Sequence, residues 1–201
     1  MTSLADLKVV LASGSPRRHH LLKLIGVDHE VIPADLDESR LPGEKPDSHA
    51  ERLARAKSAA IAADRAESLV IGADTIVVVD QHILGKPRDV ADAARMLRML
   101  SNRSHIVMTA VAVTLGGRTI SLVEKVTVSF RDLTEDEIAR YIATGEPMDK
   151  AGAYGIQGYG ATIVDRVNGD YFAVMGLAVN RLVRLLRDVG LGYAFGPLTA
   201  D

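Results

Sequence analysis

Leu69-Val70-Ile71-Gly72-Ala73-Asp74-Thr75-Ile76-Val77-Val78-Val79-Asp80 is the stretch on which the fold turns. A nearly unbroken apolar and β-branched run of this kind is a strand covered on both faces, as at the middle of a sheet with helices packed against it. Asp80 to Leu84 reads as a hairpin turn and return. Toward the N-terminus lies a second strand, Lys8 to Ala12, which runs through Ser13-Gly14-Ser15 into a helix. Ser15 is placed as N-cap, Pro16 as first helical residue and Gly26 just past the end. Val27 to Ile32 suggests a short strand, and Ala34 to Pro46 a long acidic loop with Asp35, Asp37 and Glu38. Ser48-His49-Ala50-Glu51 has capping-box spacing and opens an Ala-rich helix to about Arg65.

Beyond the central strand, Asp89 begins a helix with Ala93, Ala94, Leu97 and Leu100 at helical spacing. Ile106–Leu115 and Thr119–Phe130 are strands joined through Gly116-Gly117. Thr134 to Glu137 is a second capping box, on a helix through Ala143. A glycine-rich stretch, Gly152 to Gly160, leads to a strand Ala161–Val167, a turn at Asn168-Gly169, a strand Asp170–Val174 and a last helix from about Gly176 to Val189. Gly190 onward reads as a loose tail. The expected fold is a mixed α/β domain, residues 1–201, with an elongated twisted sheet flanked by helices and two lobes around a central cleft.

Composition narrows the functions. The 201 residues are 47% hydrophobic and 25% charged, an ordinary globular balance. With no cysteine, disulfide frameworks and thiol catalysis are excluded. Lys+Arg 24 against Asp+Glu 26 gives a net charge of −2, no footprint for a nucleic-acid duplex or an anionic membrane. No apolar run approaches the ~18 residues of a spanning helix, and Met1 to Lys8 lacks the form of a secretory signal, so a cytoplasmic protein is expected. The six histidines show no zinc-type spacing.

The places where local rules break point to chemistry. Arg17 and Arg18 stand in the first turn of a helix, where the dipole and free N–H groups already favour an anion. A phosphate bound by the Ser13–Ser15 turn and the two guanidinium groups would reconcile them, although a solvated basic turn would also do. On the anion reading, removing either arginine should spare or raise the stability of the free protein. Asp74 puts a carboxylate in a buried strand, which requires a partner or a metal unless neighbouring N–H groups satisfy it, with Gly72 supplying a bend. Thr75 adds a hydroxyl beside it. Lys57 lies on the core-facing stripe of its helix, from which it either points inward or snorkels to the surface. Lys86 is pinned between Gly85 and Pro87. Tyr154, Gln157 and Tyr159 sit among four glycines, where they could supply an aromatic wall and a base-reading amide. Asp35, Asp37 and Glu38 are candidate Mg²⁺ ligands with Asp74.

Taken in order, Ser13-Gly14-Ser15-Pro16-Arg17-Arg18, Glu38, Lys57, Gly72-Ala73-Asp74-Thr75, Gly85-Lys86-Pro87, Thr109 and Asp149-Lys150-Ala151-Gly152 resemble the Maf family of nucleoside triphosphate pyrophosphatases, from about Val9 to Val189. The segment Asp149-Lys150-Ala151-Gly152-Ala153-Tyr154-Gly155-Ile156-Gln157-Gly158 looks like that of the branch that hydrolyses dTTP and UTP. The resemblance implies a Maf/ITPase-like fold, a divalent cation (Mg²⁺, Mn²⁺ or Co²⁺), pyrimidine nucleoside triphosphate substrates, a homodimer, and cleavage to the monophosphate and pyrophosphate. It implies Asp74 as proton acceptor and Arg17, Thr75 and Gln157 as specificity residues. Ser13, Arg17, Arg18, Lys57 and Lys86 are implied on the phosphates, and Glu38 with Asp74 on the metal. Base and metal ligand both stay open for Asp74. A nucleotide-binding regulator of septation, or a 7-methyl-GTP or ITP-type pyrophosphatase, is the alternative. His19-His20 depart from the family's pattern.

Overall fold

The structure is a computed structural model that describes residues 7–200. Its elements are β1 (Val9–Leu11), α1 (Pro16–Leu24), β2 (Glu30–Val31), α2 (Pro46–Ala63), β3 (Leu69–Val79), β4 (His82–Leu84) and α3 (Val90–Leu100). They continue with β5 (Ser104–Leu115), β6 (Arg118–Phe130), α4 (Glu135–Ala143), β7 (Val164–Asn168), α5 (Tyr171–Met175), α6 (Val179–Asp188), β8 (Leu191–Tyr193) and β9 (Leu198–Ala200). The mixed sheet has the order β2-β1-β3-β5-β6-β7, with β4 paired to β3. β1 is parallel to both its neighbours, Val10 opposite Glu30 and Val70. β4 returns antiparallel to β3 through Asp80 and Gln81, both at positive φ, as a two-residue primed turn requires.

The chain divides into two compact units. One holds the residues up to Asp74 with Thr109–Glu124 and Gly176 onward; the other holds Thr75–Met108 and Lys125–Met175.

In the first unit α2 lies unusually close to β3. A Cβ at Gly72 would overlap the Ala54 carbonyl oxygen and lie 2.8 Å from the Ser58 nitrogen. Gly72 therefore lets the helix seat on the strand, rather than bending it as the sequence suggests. The Ser58 hydroxyl donates to the Val70 carbonyl (2.9 Å) and meets Thr114 Oγ1 at 2.6 Å, so the seat is also hydrogen-bonded. α6 buries Leu182, Leu185 and Leu186, one helical stripe. The expected tail is instead a hairpin, β8 paired antiparallel with β9. The Tyr193 hydroxyl donates to the Ile25 carbonyl at 2.7 Å. Gly196 packs against Gly26, where a Cβ would stand 2.8 Å from the Gly196 Cα.

In the second unit both caps are formed: the Asp89 carboxylate accepts from the Asp92 N–H, and Thr134 with Glu137 makes a capping box. Gly152, at φ +70°, donates its N–H to the Gly85 carbonyl (3.0 Å), and a Cβ there would meet Val77 Cγ2 at 2.9 Å.

Three local expectations are corrected. α2 starts at Pro46, after Lys45, because proline's fixed φ opens the helix before Ser48 can cap it. The strand expected from Ala161 begins only at Val164, after a 3₁₀ turn over Gly158–Thr162. Asp170–Val174 is not a strand: the Asp170 carboxylate accepts from the Phe172 and Ala173 N–H groups and turns these β-prone residues into α5.

Candidate active site

In the first unit, Asp74 and Lys57 face each other because Gly72 seats α2 on β3. Lys57 Nζ donates to Asp74 Oδ1 at 2.8 Å and lies 2.6 Å from Glu38 Oε1. Both Lys57 and Asp74 are 7% exposed. Lys57 thus does not snorkel; its ammonium is buried between two carboxylates. Removing one partner of a buried pair usually costs about 3–5 kcal/mol, so each group holds the other in place.

Ser13 and Arg18 belong to the same neighbourhood. The Ser13 hydroxyl accepts from Arg18 Nη1 (2.9 Å) and from the Ser15 N–H (3.3 Å), while Ser15 makes no side-chain cap. Arg18 Nε donates to the Gly176 carbonyl at 2.8 Å, a bond spanning 158 positions of sequence. Burial pushes the Arg18 guanidinium pKa down, and Arg17 adds to that; the charges of Asp74 and Glu38 oppose it. The cationic helix start is therefore electrically coupled to the carboxylate pair, and Arg18 is also a structural tie.

The acidic loop is anchored by a residue the sequence reading missed. Glu44, its side chain 8% exposed, accepts from Arg52 Nε (2.6 Å), Arg52 Nη2 (3.0 Å) and the Leu41 N–H (3.1 Å), and lies 3.0 Å from His49 Nδ1. The Arg52 hydrogen bonds foremost hold its pKa at about 2. Asp37 turns back onto the N–H and hydroxyl of Ser39 and Asp35 is exposed, so of the three loop acids Glu38 is the one placed with Lys57. The only advance signal for Glu44 was its position just ahead of a helix carrying Arg52.

Arg17 is half-buried on α1. Thr75 follows Asp74 in β3, partly exposed, and belongs to the second unit with Lys86 and Gln157, both exposed. Gln157 stands on a loop whose backbone bonds to Glu146 and Tyr141, two further residues the sequence reading passed over. Their partners are main-chain amides, which leave no mark in side-chain spacing.

Among the described residues no group of three or more His, Asp or Glu gathers as a metal cage. Glu38 and Asp74 nevertheless share one cation, the Lys57 ammonium, and so present hard oxygen donors to a common point. Mg²⁺ commonly binds through one or two carboxylates and completes its shell with water and phosphate oxygens. The donor type of the two carboxylates suits such an ion, and the point they share is filled by the Lys57 ammonium.

Fold and cluster define a mixed α/β protein whose sheet carries a buried carboxylate–ammonium pair beside a cationic helix start. The chain belongs to the Maf family: the Maf-like protein family matches residues 8–189. A dTTP/UTP pyrophosphatase of Aquifex aeolicus (strain VF5) is 44% identical over 185 residues, 92% of this chain and 97% of that protein. The protein of the same description from Bacillus cytotoxicus is 48% identical over the same shares. Among solved structures, the Staphylococcus aureus Ham1 protein is similar at a TM-score of 0.48, with 18% identity over 78% of this chain and 79% of that one. Among the described residues no helix is long and apolar enough to cross a membrane.

Proposed function

We propose that the protein is a nucleoside triphosphate pyrophosphatase that converts dTTP and UTP to the monophosphate and pyrophosphate. The observation that carries this reading is the buried Lys57 ammonium held between Asp74 and Glu38. The 44–48% identity to proteins described as dTTP/UTP pyrophosphatases supports the substrate class.

The chain's residues would act as follows. A triphosphate brings about four negative charges, and Arg17, Arg18, Lys57 and Lys86 supply the neutralising groups, with Ser13 donating a hydroxyl. Lys57 gains phosphate oxygens as further partners, which loosens its hold on the Asp74 carboxylate. Asp74 accepts a proton from water as the water oxygen bonds to the α-phosphorus. The bridging α–β P–O bond breaks, and its electron pair leaves with pyrophosphate. A divalent cation bound at Glu38 and Asp74 would neutralise phosphate charge. Gln157, whose amide both donates and accepts, matches the N3–H and O4 edge of uracil or thymine, and Arg17 and Thr75 complete the selection.

The test is a screen of purified protein with Mg²⁺, Mn²⁺ or Co²⁺ against the common and modified triphosphates, identifying both products. Pyrophosphate and monophosphate released preferentially from dTTP and UTP are expected. Tight nucleotide binding without turnover would replace this reading with a nucleotide-sensing role, and release of orthophosphate would place the cleavage at the wrong bond.

A further inference from the structure

The segment carrying Gln157 is suspended from a single carboxylate. Glu146 Oε1 accepts from the Tyr141 hydroxyl (2.9 Å) and the Gly160 N–H (2.9 Å), and Oε2 accepts from the Tyr159 N–H (2.8 Å). The Tyr141 hydroxyl oxygen in turn accepts from the Gly155 N–H at 3.1 Å. One Glu–Tyr pair therefore binds three amides of the loop, on both sides of Gln157. Burial foremost pushes the Tyr141 phenol pKa up, so it stays protonated and keeps donating to Glu146.

The glycines are fitted to this arrangement. At Gly160 a Cβ would overlap the Gly155 carbonyl oxygen and lie 2.6 Å from the Tyr141 hydroxyl; at Gly158, at φ +67°, it would overlap Glu146 Oε2. The loop's near flank is fixed separately. The buried Tyr154 hydroxyl meets His105 Nε2 at 2.8 Å, and its ring packs edge-on against Phe130 with centroids 4.6 Å apart. The Gln157 side chain itself is exposed and has no hydrogen-bond partner among the described residues. The loop backbone therefore sets the position from which it reaches.

Resting on the function proposed above, we infer that Glu146 is a positioning residue for base selection. Through the Tyr159 and Gly160 amides, and through Tyr141 to Gly155, it fixes the loop backbone from which the Gln157 amide reaches the base, without touching substrate. A base-reading amide works only if its donor and acceptor match the base edge, so a slackened loop loses discrimination before it loses turnover.

The experiment compares wild type with Glu146→Gln and Tyr141→Phe. Glu146→Gln replaces one accepting oxygen with an NH₂ group, so a loop amide faces a donor. Tyr141→Phe keeps the ring and removes both the acceptor for Gly155 and the donor to Glu146. For Glu146→Gln, KM for UTP and dTTP should rise about tenfold while kcat stays within about threefold of wild type, and the preference over purine triphosphates should fall about tenfold. Tyr141→Phe should shift both in the same direction by a smaller factor. Gln157→Glu sets the scale for full loss of base reading. The Ki of inorganic tripolyphosphate, which has no base, should remain within about twofold in both variants.

An unchanged base preference in both variants overturns the inference. So does a uniform loss that includes tripolyphosphate, since that is a loop collapse rather than a selective effect. If Glu146→Gln fails to fold, the KM and preference of Tyr141→Phe decide alone. Wild type that releases no pyrophosphate from UTP or dTTP overturns the functional reading itself, a result distinct from retained activity with unmoved selectivity.

Discussion

Replacing Asp74 with asparagine separates chemistry from architecture. The amide keeps an oxygen in place of Oδ1, so the hydrogen bond from Lys57 at 2.8 Å persists as a charge–dipole contact, and Glu38 at 2.6 Å keeps the ammonium paired. Losing all compensation for a buried charge costs about 3–5 kcal/mol; with Glu38 retained, Asp74→Asn should cost about 1–2 kcal/mol. In a chain of this size that lowers Tm by about 2–8 °C, leaving the protein folded at assay temperature. An amide cannot take a proton from water at neutral pH, so kcat should fall at least about 100-fold, or about 2.7 kcal/mol of barrier. The assay is initial-rate pyrophosphate release from UTP, paired with a thermal melt of the same sample. A kcat within about threefold of wild type alongside a cooperative melt would refute the role of Asp74 as base. A melt lowered by more than about 15 °C would refute the idea that Glu38 alone can compensate Lys57.

Arg18→Ala should destabilise the protein by about 1–3 kcal/mol, because it leaves the Gly176 carbonyl and the Ser13 hydroxyl without their guanidinium donor; chemical denaturation of the free protein measures it. That sign is opposite to the one expected from the helix dipole alone, and an unchanged or raised stability would restore the dipole argument. Gly72→Ala should cost at least about 2 kcal/mol and lower activity as well, since α2 must lift from β3 and carry Lys57 away from Asp74; normal stability and turnover together would contradict the packing. Acid should weaken the fold through His105, whose pKa burial lowers to about 4. Below its unfolded value near 6.5 the unfolded chain takes up a proton that the folded one refuses, so this stability is complete above pH 6.5 and declines by about 3 kcal/mol as pH falls to 4. His105→Phe should be less stable at pH 7, because Tyr154 loses its partner, yet show a flatter decline in denaturation midpoint between pH 6.5 and 4.

Much of the fold was legible wherever local signals agreed. β3, the Asp89 and Thr134 caps and the Asp80–Gln81 turn declare themselves in residue type alone. Asp74 was legible for the opposite reason, as a charge in an apolar run, and Lys57 as a charge on an apolar stripe. Their contact was not, because it depends on Gly72 admitting a helix against the strand, and a glycine in a strand does not say what approaches it. Arg18 was seen as an anion site but not as a tie to Gly176, since the bond joins residues 158 positions apart. Glu146 escaped because much of what it holds is backbone amide, which every residue but proline carries, and Glu44 because its side-chain partners Arg52 and His49 meet it only once the loop folds back on α2. α5 was misread because one capping carboxylate, Asp170, outweighs the β-preference of Tyr171, Phe172 and Val174.

The unit holding Asp74 is assembled from three separated stretches of chain, and the last of them begins at Gly176. On a ribosome adding about 5–20 residues per second, the helix with Arg17 and Arg18 emerges roughly 10–30 seconds before the carbonyl that Arg18 binds. Ile25 waits slightly longer for Tyr193, 168 positions on. Through that interval Lys57 and Asp74 can already meet, while α1 lacks its long-range ties and α6 has not yet brought Leu182, Leu185 and Leu186 to the core. Birth order and assembly order therefore differ: α1, made ahead of α2 to α6, is among the last to be secured, and a nascent chain stalled before Gly176 would display its cationic helix on an unfinished core.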